Sequence, residues 1–182
     1  MNIQTGDIGF VTNPKWNSPF TKFFLQINRI RIGRPIKRKE IYAHVFTIAE
    51  KDGKKYVCEA VGGGWHVDEY PGQYAGRENK IFWKEPAMPW NNEQKEKFSD
   101  ECFKFKDKKE QYDVPGYLWQ IIFTTIGWWF GATGKRARKK VTCSEAIPTL
   151  INIAFEKEIF QLSYLINPFM LYIDSYYQPK QN

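Results

Sequence analysis

Two strand-like segments joined by a tight turn constrain the fold more than any other feature of this sequence. The first reads IYAHVFTIAE and the second KKYVCEAVGG, and both are rich in β-branched and aromatic residues. Lys51-Asp52-Gly53 joins them, and an Asp-Gly pair favours a tight hairpin because both residues tolerate a positive φ. The two segments are therefore predicted to form neighbouring antiparallel strands.

Alternation along this hairpin assigns one histidine and one glutamate each to a face of its own strand. His44 shares a face with Phe46, and Glu59 shares a face with Val57, whereas Cys58 points to the opposite face of its strand. If the two faces coincide, His44 and Glu59 converge. Taken alone, each signal is weak, because a histidine on an apolar strand is more often structural and a strand glutamate more often faces solvent.

The stretch VTCSEAIPTL combines a cysteine with a helix start. The spacing of Thr142 and Glu145 is typical of a capping box, which predicts that Cys143 is the first helical residue. Unpaired N–H groups and the helix dipole favour an anion there, so a thiolate at this position is a candidate nucleophile. The alternative is a small buried hydrophobe, as most free cysteines are. Pro148 inside the helix predicts either a kink or a later helix start.

A cysteine nucleophile needs a base, and the base needs a partner that orients it. The chain has two histidines, and His66 follows a glycine run whereas His44 lies within a strand. We therefore choose His44 as the base and Glu59 as its orienting partner.

The order of five motifs, GDIGFV, AHVFTIAE, YVCEAVGGG, EQYDVPGYLW and VTCSEA, resembles the circularly permuted NlpC-type papain-like cysteine hydrolases of the YiiX-like group, which are related to lecithin:retinol acyltransferase-like proteins. The resemblance extends from Gly6 to about Leu171. It implies an α+β, papain-like fold in which an antiparallel sheet packs against helices and the nucleophile begins a helix. We expect a single domain over residues 1–182.

The resemblance also implies roles for individual residues. Cys143 would be the nucleophile, with its backbone N–H in the oxyanion hole, His44 the general base and Glu59 the third member of the triad. Tyr112 stands where the family has a tyrosine, and it is a candidate donor to the oxyanion. No cofactor is implied. The chain departs from the family at Pro148 and in a basic insertion at about 33–40.

Composition limits the remaining classes of protein. With 182 residues, 42% of them hydrophobic, the chain is expected to be globular. Its three cysteines form no C-x-x-C pair and lie with the two histidines at none of the usual zinc spacings, so we expect reduced thiols and no metal. The start MNIQTGDIGFV lacks the features of a signal peptide, which predicts a cytoplasmic location.

The segment YLWQIIFTTIGWWF, residues 117–130, is too short to span a bilayer and is followed by a basic run at 135–140. It is either a buried helix or an interfacial contact with a membrane. A second basic cluster lies at 29–39, and the net charge is +7. We expect an acyl-lipid or peptide-amide substrate and peripheral membrane contact, and we do not expect nucleic acid as the substrate. The sequence does not indicate an oligomeric state.

Further elements are expected along the chain. Short strands are predicted at IGFV, WHVDEY and IFWKEP. Helices are predicted from Ser18 to Ile30, from the asparagines near residue 91 with a buried stripe at Phe98, Cys102 and Phe105, and over INIAFEKEIFQLSYLI as far as Asn167-Pro168.

The preferred function is a cysteine hydrolase that attacks an amide, ester or thioester carbonyl in a lipid or peptidoglycan substrate. The aromatic segment beside a basic run favours the lipid. The alternative is a non-catalytic basic module that keeps the same fold and binds membrane or nucleic acid.

Overall fold

The computed structural model describes residues 2–11, 44–61, 64–107, 111–112, 140–141, 143–160, 171 and 174–180. At 107, 111–112, 140–141 and 143–145 it describes the backbone alone. The predicted helices at 18–30 and 117–130 and the basic clusters at 29–39 and 135–139 lie outside these residues. The single domain over residues 1–182 stays a prediction.

Within the described residues an antiparallel sheet packs against two helices, which makes the protein α+β as expected. The strands are β1 (Ile8–Val11), β2 (His44–Lys51), β3 (Lys54–Val61), β4 (Gly64–Glu69), β5 (Ile81–Pro86), β6 (Gln111–Tyr112), β7 (Lys140–Val141) and β8 (Tyr177–Pro179), and the helices are α1 (Asn92–Asp107) and α2 (Cys143–Ala154). The main sheet has the order β4-β3-β2-β1-β5-β8, and β6 pairs with β7 in parallel. Short 3-10 turns occur at Gly72–Tyr74 and Glu78–Lys80.

The predicted hairpin is confirmed. β2 and β3 are antiparallel, with Thr47 opposite Cys58, and their loop is Asp52-Gly53. Both loop residues have positive φ, 52° and 72°, which matches the twist of the flanking strands. Local chemistry at the turn thus fixes the register of the two strands that carry His44 and Glu59.

The two faces of the sheet carry separate apolar clusters. One face packs on α1 and α2, and its cluster includes Val45, Ala49, Cys58, Ala60, Phe98, Cys102, Phe105, Ile147 and Leu150. The other face, here called the dyad face because it carries His44 and Glu59, has a cluster of Phe46, Ile48, Val57, Tyr74, Ile81 and Trp83. The predicted buried stripe of α1 is confirmed. The prediction that Cys58 and Glu59 point to opposite faces of β3 is also confirmed.

Close approach of β1 to a ring on β2 explains one glycine. A Cβ at Gly9 would meet three outer ring carbons of Phe46, so only glycine lets the ring lie across β1. The Phe46 ring, which is fully buried, stacks on Tyr74 with centroids 4.4 Å apart and meets the Trp83 ring in a T-shaped arrangement with centroids 5.4 Å apart. The dyad face is therefore built around an aromatic layer.

The start of α2 agrees with the sequence, and its end does not. The helix begins at Cys143 and contains Pro148, so the alternative of a later start is wrong. The expected continuation toward Asn167 is also wrong, because α2 ends at Ala154. The Asn152 side chain accepts from the backbone N–H groups of Ile159 and Phe160 and donates to the Phe160 carbonyl, all at 2.9 Å. These bonds hold the chain in a turn that replaces further helical turns.

Two distant segments meet at the β8 edge of the sheet. The ammonium of Lys180, only 5% exposed, donates to the fully buried Asp7 carboxylate at 2.6 Å and to Glu85 at 3.2 Å. The Asp7 carboxylate also accepts from the Gln4 backbone N–H at 2.7 Å. The contact ties the segment before β1 to the residue that follows β8. Among the described residues, no helix has the length and apolar character needed to cross a membrane.

Candidate functional site: a buried histidine–glutamate pair

The hairpin register brings His44 and Glu59 together. His44 is the first residue of β2, where its Cα partner on β1 is Val11, and Glu59 lies within β3. Thr47 is opposite Cys58, so extending the register by one residue places Phe46 opposite Glu59. His44 is the next residue of β2 on the same face as Phe46, which makes it a diagonal neighbour of Glu59. His44 Nε2 lies 2.6 Å from Glu59 Oε2, so the predicted convergence of the two faces is confirmed.

The Glu59 carboxylate is almost fully enclosed and fully bonded. Its side chain is 3% exposed, whereas the His44 ring is 22% exposed. Tyr74 Oη donates to the same oxygen as His44, also at 2.6 Å, and the Gln73 amide donates to the second oxygen, Oε1. Both carboxylate oxygens are therefore held by neutral or cationic donors.

These donors decide the charge of Glu59. Burial on its own raises the pKa of this carboxyl, but hydrogen bonds from His44, Tyr74 and Gln73 and the positive charge of the protonated His44 ring outweigh it, so that the pKa lies below its ordinary value of 4.5. Glu59 is consequently ionised at neutral pH, which is unusual for a carboxyl buried in an aromatic layer.

An ionised carboxylate accepts hydrogen bonds and cannot donate them. Nε2 of His44 must therefore carry the proton of the 2.6 Å contact. In the neutral ring this fixes Nδ1 as the unprotonated nitrogen, and thus as the atom of His44 that can take up a proton.

Tyr74 and Gln73 were not identified from the sequence. They belong to the 3-10 turn Gly72–Tyr74, which follows β4 and folds back over the dyad face. The Pro71-Gly72 pair in YPGQY is a turn signal that marks where the chain reverses. It does not indicate which side chains the reversed segment presents to Glu59.

Cys143 is the first residue of α2, the position predicted for it, and α2 packs against β2 and β3. Tyr112 pairs through its backbone with Val141, two residues before Cys143. The side chains of Cys143 and Tyr112 lie outside the described part of the structure, as does Thr142. The roles of Cys143 as nucleophile and of Tyr112 as oxyanion donor therefore stay predictions.

The other two cysteines lie in the core on the helix side of the sheet. Cys58 and Cys102 are both fully buried. Burial is the main cause that raises the pKa of Cys102 well above its ordinary value, and the neighbouring Cys58 thiol raises it further. A thiol in such surroundings stays protonated and is a poor nucleophile. The expectation that Cys102 is a core residue is confirmed.

The described residues contain no group of three or more His, Cys, Asp or Glu side chains placed to hold a metal ion. His66 is the cross-strand partner of Glu59 on β4 and is half-buried. Glu59 itself directs both oxygens to His44, Tyr74 and Gln73.

Fold and site together define an α+β protein that carries a buried histidine–glutamate pair on one face of an antiparallel sheet. Its fold is similar to that in the crystal structure of the metalloprotein YiiX from Escherichia coli, DUF1105, with a TM-score of 0.57 and 18% identity over 94% of this chain and 80% of that chain. The fold is thus YiiX-like. No protein-family model matches the sequence, and no curated protein matches it either.

Proposed function

We propose that this protein is a cysteine hydrolase with a permuted, NlpC-type papain-like arrangement, in which Cys143 is the nucleophile, His44 the general base and Glu59 the residue that orients the base. The observation that carries the proposal is the 2.6 Å hydrogen bond between His44 and the buried, ionised Glu59. Cys143 begins α2, the position expected of the nucleophile, and α2 packs on the opposite face of β2 and β3 from this pair, so the proposal requires Cys143 to meet His44 at the end of β2 where His44 lies.

The reaction begins with attack of the Cys143 thiolate on the carbonyl carbon of an amide, ester or thioester. The carbonyl oxygen becomes an oxyanion, which the backbone N–H of Cys143 and the Tyr112 hydroxyl are proposed to stabilise. When the tetrahedral species collapses, the bond to the leaving group breaks and His44 gives that group its proton. Water then attacks the acyl-enzyme thioester while His44 takes up the water proton, and cleavage of the C–S bond releases the acid and restores the Cys143 thiolate beside the protonated His44.

His44 is suited to this shuttle because Glu59 holds one ring nitrogen. With Nε2–H donated to Glu59, proton exchange with the thiol and leaving group takes place at Nδ1. The negative charge of Glu59 also stabilises the imidazolium that forms beside the thiolate.

YiiX is described as a metalloprotein. The described residues of this chain do not fit a metal, because both Glu59 oxygens are taken by hydrogen-bond donors and the described part of the chain contains no suitable ligand group. The proposal routes no step through a metal ion.

The substrate is proposed to be an acyl lipid or a peptide amide such as those of peptidoglycan. The aromatic segment at 117–130 beside the basic run at 135–140 favours the lipid. Both classes present a carbonyl to the thiolate and differ in what surrounds it.

The test is the rate at which iodoacetamide alkylates each cysteine across pH, read by peptide mass spectrometry in the wild type, His44→Ala and His66→Ala. We expect Cys143 to react rapidly below the ordinary pKa of a thiol, to lose that advantage in His44→Ala, and to keep it in His66→Ala. Cys58 and Cys102 serve as internal references because both are buried in the core.

Equal, slow reaction of all three cysteines would overturn the proposal. The alternative, a basic module that binds membrane or nucleic acid without catalysis, would then be tested by vesicle and oligonucleotide binding. Binding that persists in Cys143→Ala, together with the absence of an acyl adduct in the wild type, would favour the module.

A further inference from the structure

We propose that Tyr74 and Gln73 are positioning residues of the site, which hold Glu59 ionised and aimed at His44. This inference rests on the proposed function, because it matters for catalysis only if His44 serves Cys143. The effect of the two side chains on Glu59 can be measured independently of catalysis.

A carboxylate enclosed in an aromatic layer is costly to ionise, because burial removes the water that would solvate its charge. Glu59 is 3% exposed and nevertheless has a lowered pKa. Only three side chains donate to it among the described residues, and His44 is one of them. Tyr74 and Gln73 act in the same direction as His44, so removing either donor should restore part of the desolvation penalty.

The two donors also fix direction. Tyr74 Oη and His44 Nε2 bond to the same oxygen, Oε2, each at 2.6 Å, while Gln73 bonds to Oε1. Because both oxygens are bonded, the carboxylate cannot rotate without breaking at least one contact. The fixed carboxylate keeps Oε2 directed at Nε2 of His44. This contact in turn keeps the His44 proton on Nε2.

The aromatic layer in turn fixes Tyr74. Its ring stacks on Phe46 at 4.4 Å and 19°, and Phe46 lies across Gly9. The Tyr74 hydroxyl is thus carried on a ring that has little freedom to turn. The turn Gly72–Tyr74 thus contributes two donors to the site from a segment that holds none of the triad residues.

The experiment follows the Glu59 carboxyl by ¹³C NMR as a function of pH in the wild type, Tyr74→Phe, Gln73→Met and the control Tyr70→Phe. Tyr74→Phe keeps the stacked ring and removes the hydroxyl, which donates to Glu59 and accepts a long, 3.5 Å hydrogen bond from the Gln73 amide. Tyr70 packs on Trp83 in the same cluster but has no hydrogen bond to Glu59, which makes it a matched control. Cys143 alkylation by iodoacetamide is measured on the same samples.

We expect the Glu59 pKa to rise by about one unit for each donor removed and to be unchanged in Tyr70→Phe. The acid limb of the Cys143 alkylation profile, which is the low-pH range where the alkylation rate rises with pH, should move to higher pH by a similar amount. A residue with a merely structural role would lower the whole profile without moving that limb. An unchanged Glu59 pKa in both donor variants would overturn the inference.

Failure of the inference and failure of the proposed function give different results. If Cys143 is reactive and depends on His44 while the donor variants leave Glu59 and the acid limb unchanged, the function stands and the positioning role is wrong. If the Glu59 pKa rises as expected while Cys143 is unreactive in the wild type, the positioning of Glu59 stands and the hydrolase proposal is wrong.

Discussion

Replacing Gly9 by alanine should destabilise the protein through a single steric contact. The added Cβ would overlap the outer carbons Cζ, Cε1 and Cε2 of Phe46, whose ring is fully buried and stacked on Tyr74. The ring cannot move without disturbing Tyr74 or the edge contact with Trp83. Overpacking of this kind costs about 1–3 kcal/mol of unfolding free energy.

For a chain of this length we expect the melting temperature to fall by about 2–12 °C. The free energy of unfolding is measured by urea denaturation of the wild type, Gly9→Ala, Phe46→Leu and the double variant. Leucine lacks the three ring carbons that the new Cβ would meet, so in the Phe46→Leu background Gly9→Ala should cost less than about 0.5 kcal/mol. An equal cost in both backgrounds would refute the steric reasoning.

Three further predictions concern buried ionisable groups. The pKa of Glu59 is lowered in the folded protein, so the contribution of its ionised form to stability is present above pH 4.5 and is lost as the pH falls. Urea midpoints measured down to about pH 3 should therefore fall more steeply in the wild type than in Glu59→Gln. Burial lowers the pKa of Lys84 from 10.5 to about 8. Between these two pH values the folded protein therefore binds fewer protons than the unfolded chain, so the free energy of unfolding of the wild type should rise with pH. Lys84→Met should lack this rise. Cys58 and Cys102 should resist iodoacetamide in the native protein and react in denaturant, and rapid native labelling of either would contradict their burial.

Features determined by local chemistry were predictable from the sequence. The Asp52-Gly53 pair specifies its turn through the φ angles of the two residues themselves, and alternation then places Glu59 and Cys58 on opposite faces. The same holds for the start of α2 at Cys143. These predictions use interactions within a few residues along the chain.

Features created by tertiary contact were not predictable. The periodicity after Cys143 favours a longer helix, but the Asn152 side chain bonds to backbone groups seven and eight residues later and ends it. Gln73 and Tyr74 reach Glu59 only because the chain reverses after β4. Nothing in the local pattern at these positions distinguishes a site residue from an ordinary polar one.

The ion pair between Lys180 and Asp7 has a consequence for the order of folding. It joins residues 173 positions apart, and closing a flexible loop of that length costs about 4–5 kcal/mol of chain entropy. The hairpin of β2 and β3, which closes over two residues, has almost no such cost. We expect contacts of the first kind to form late in folding, so that removing the Lys180 ammonium would mainly raise the unfolding rate. On this expectation the β8 edge sets how long the native protein persists once formed, whereas the hairpin contributes to how quickly it forms.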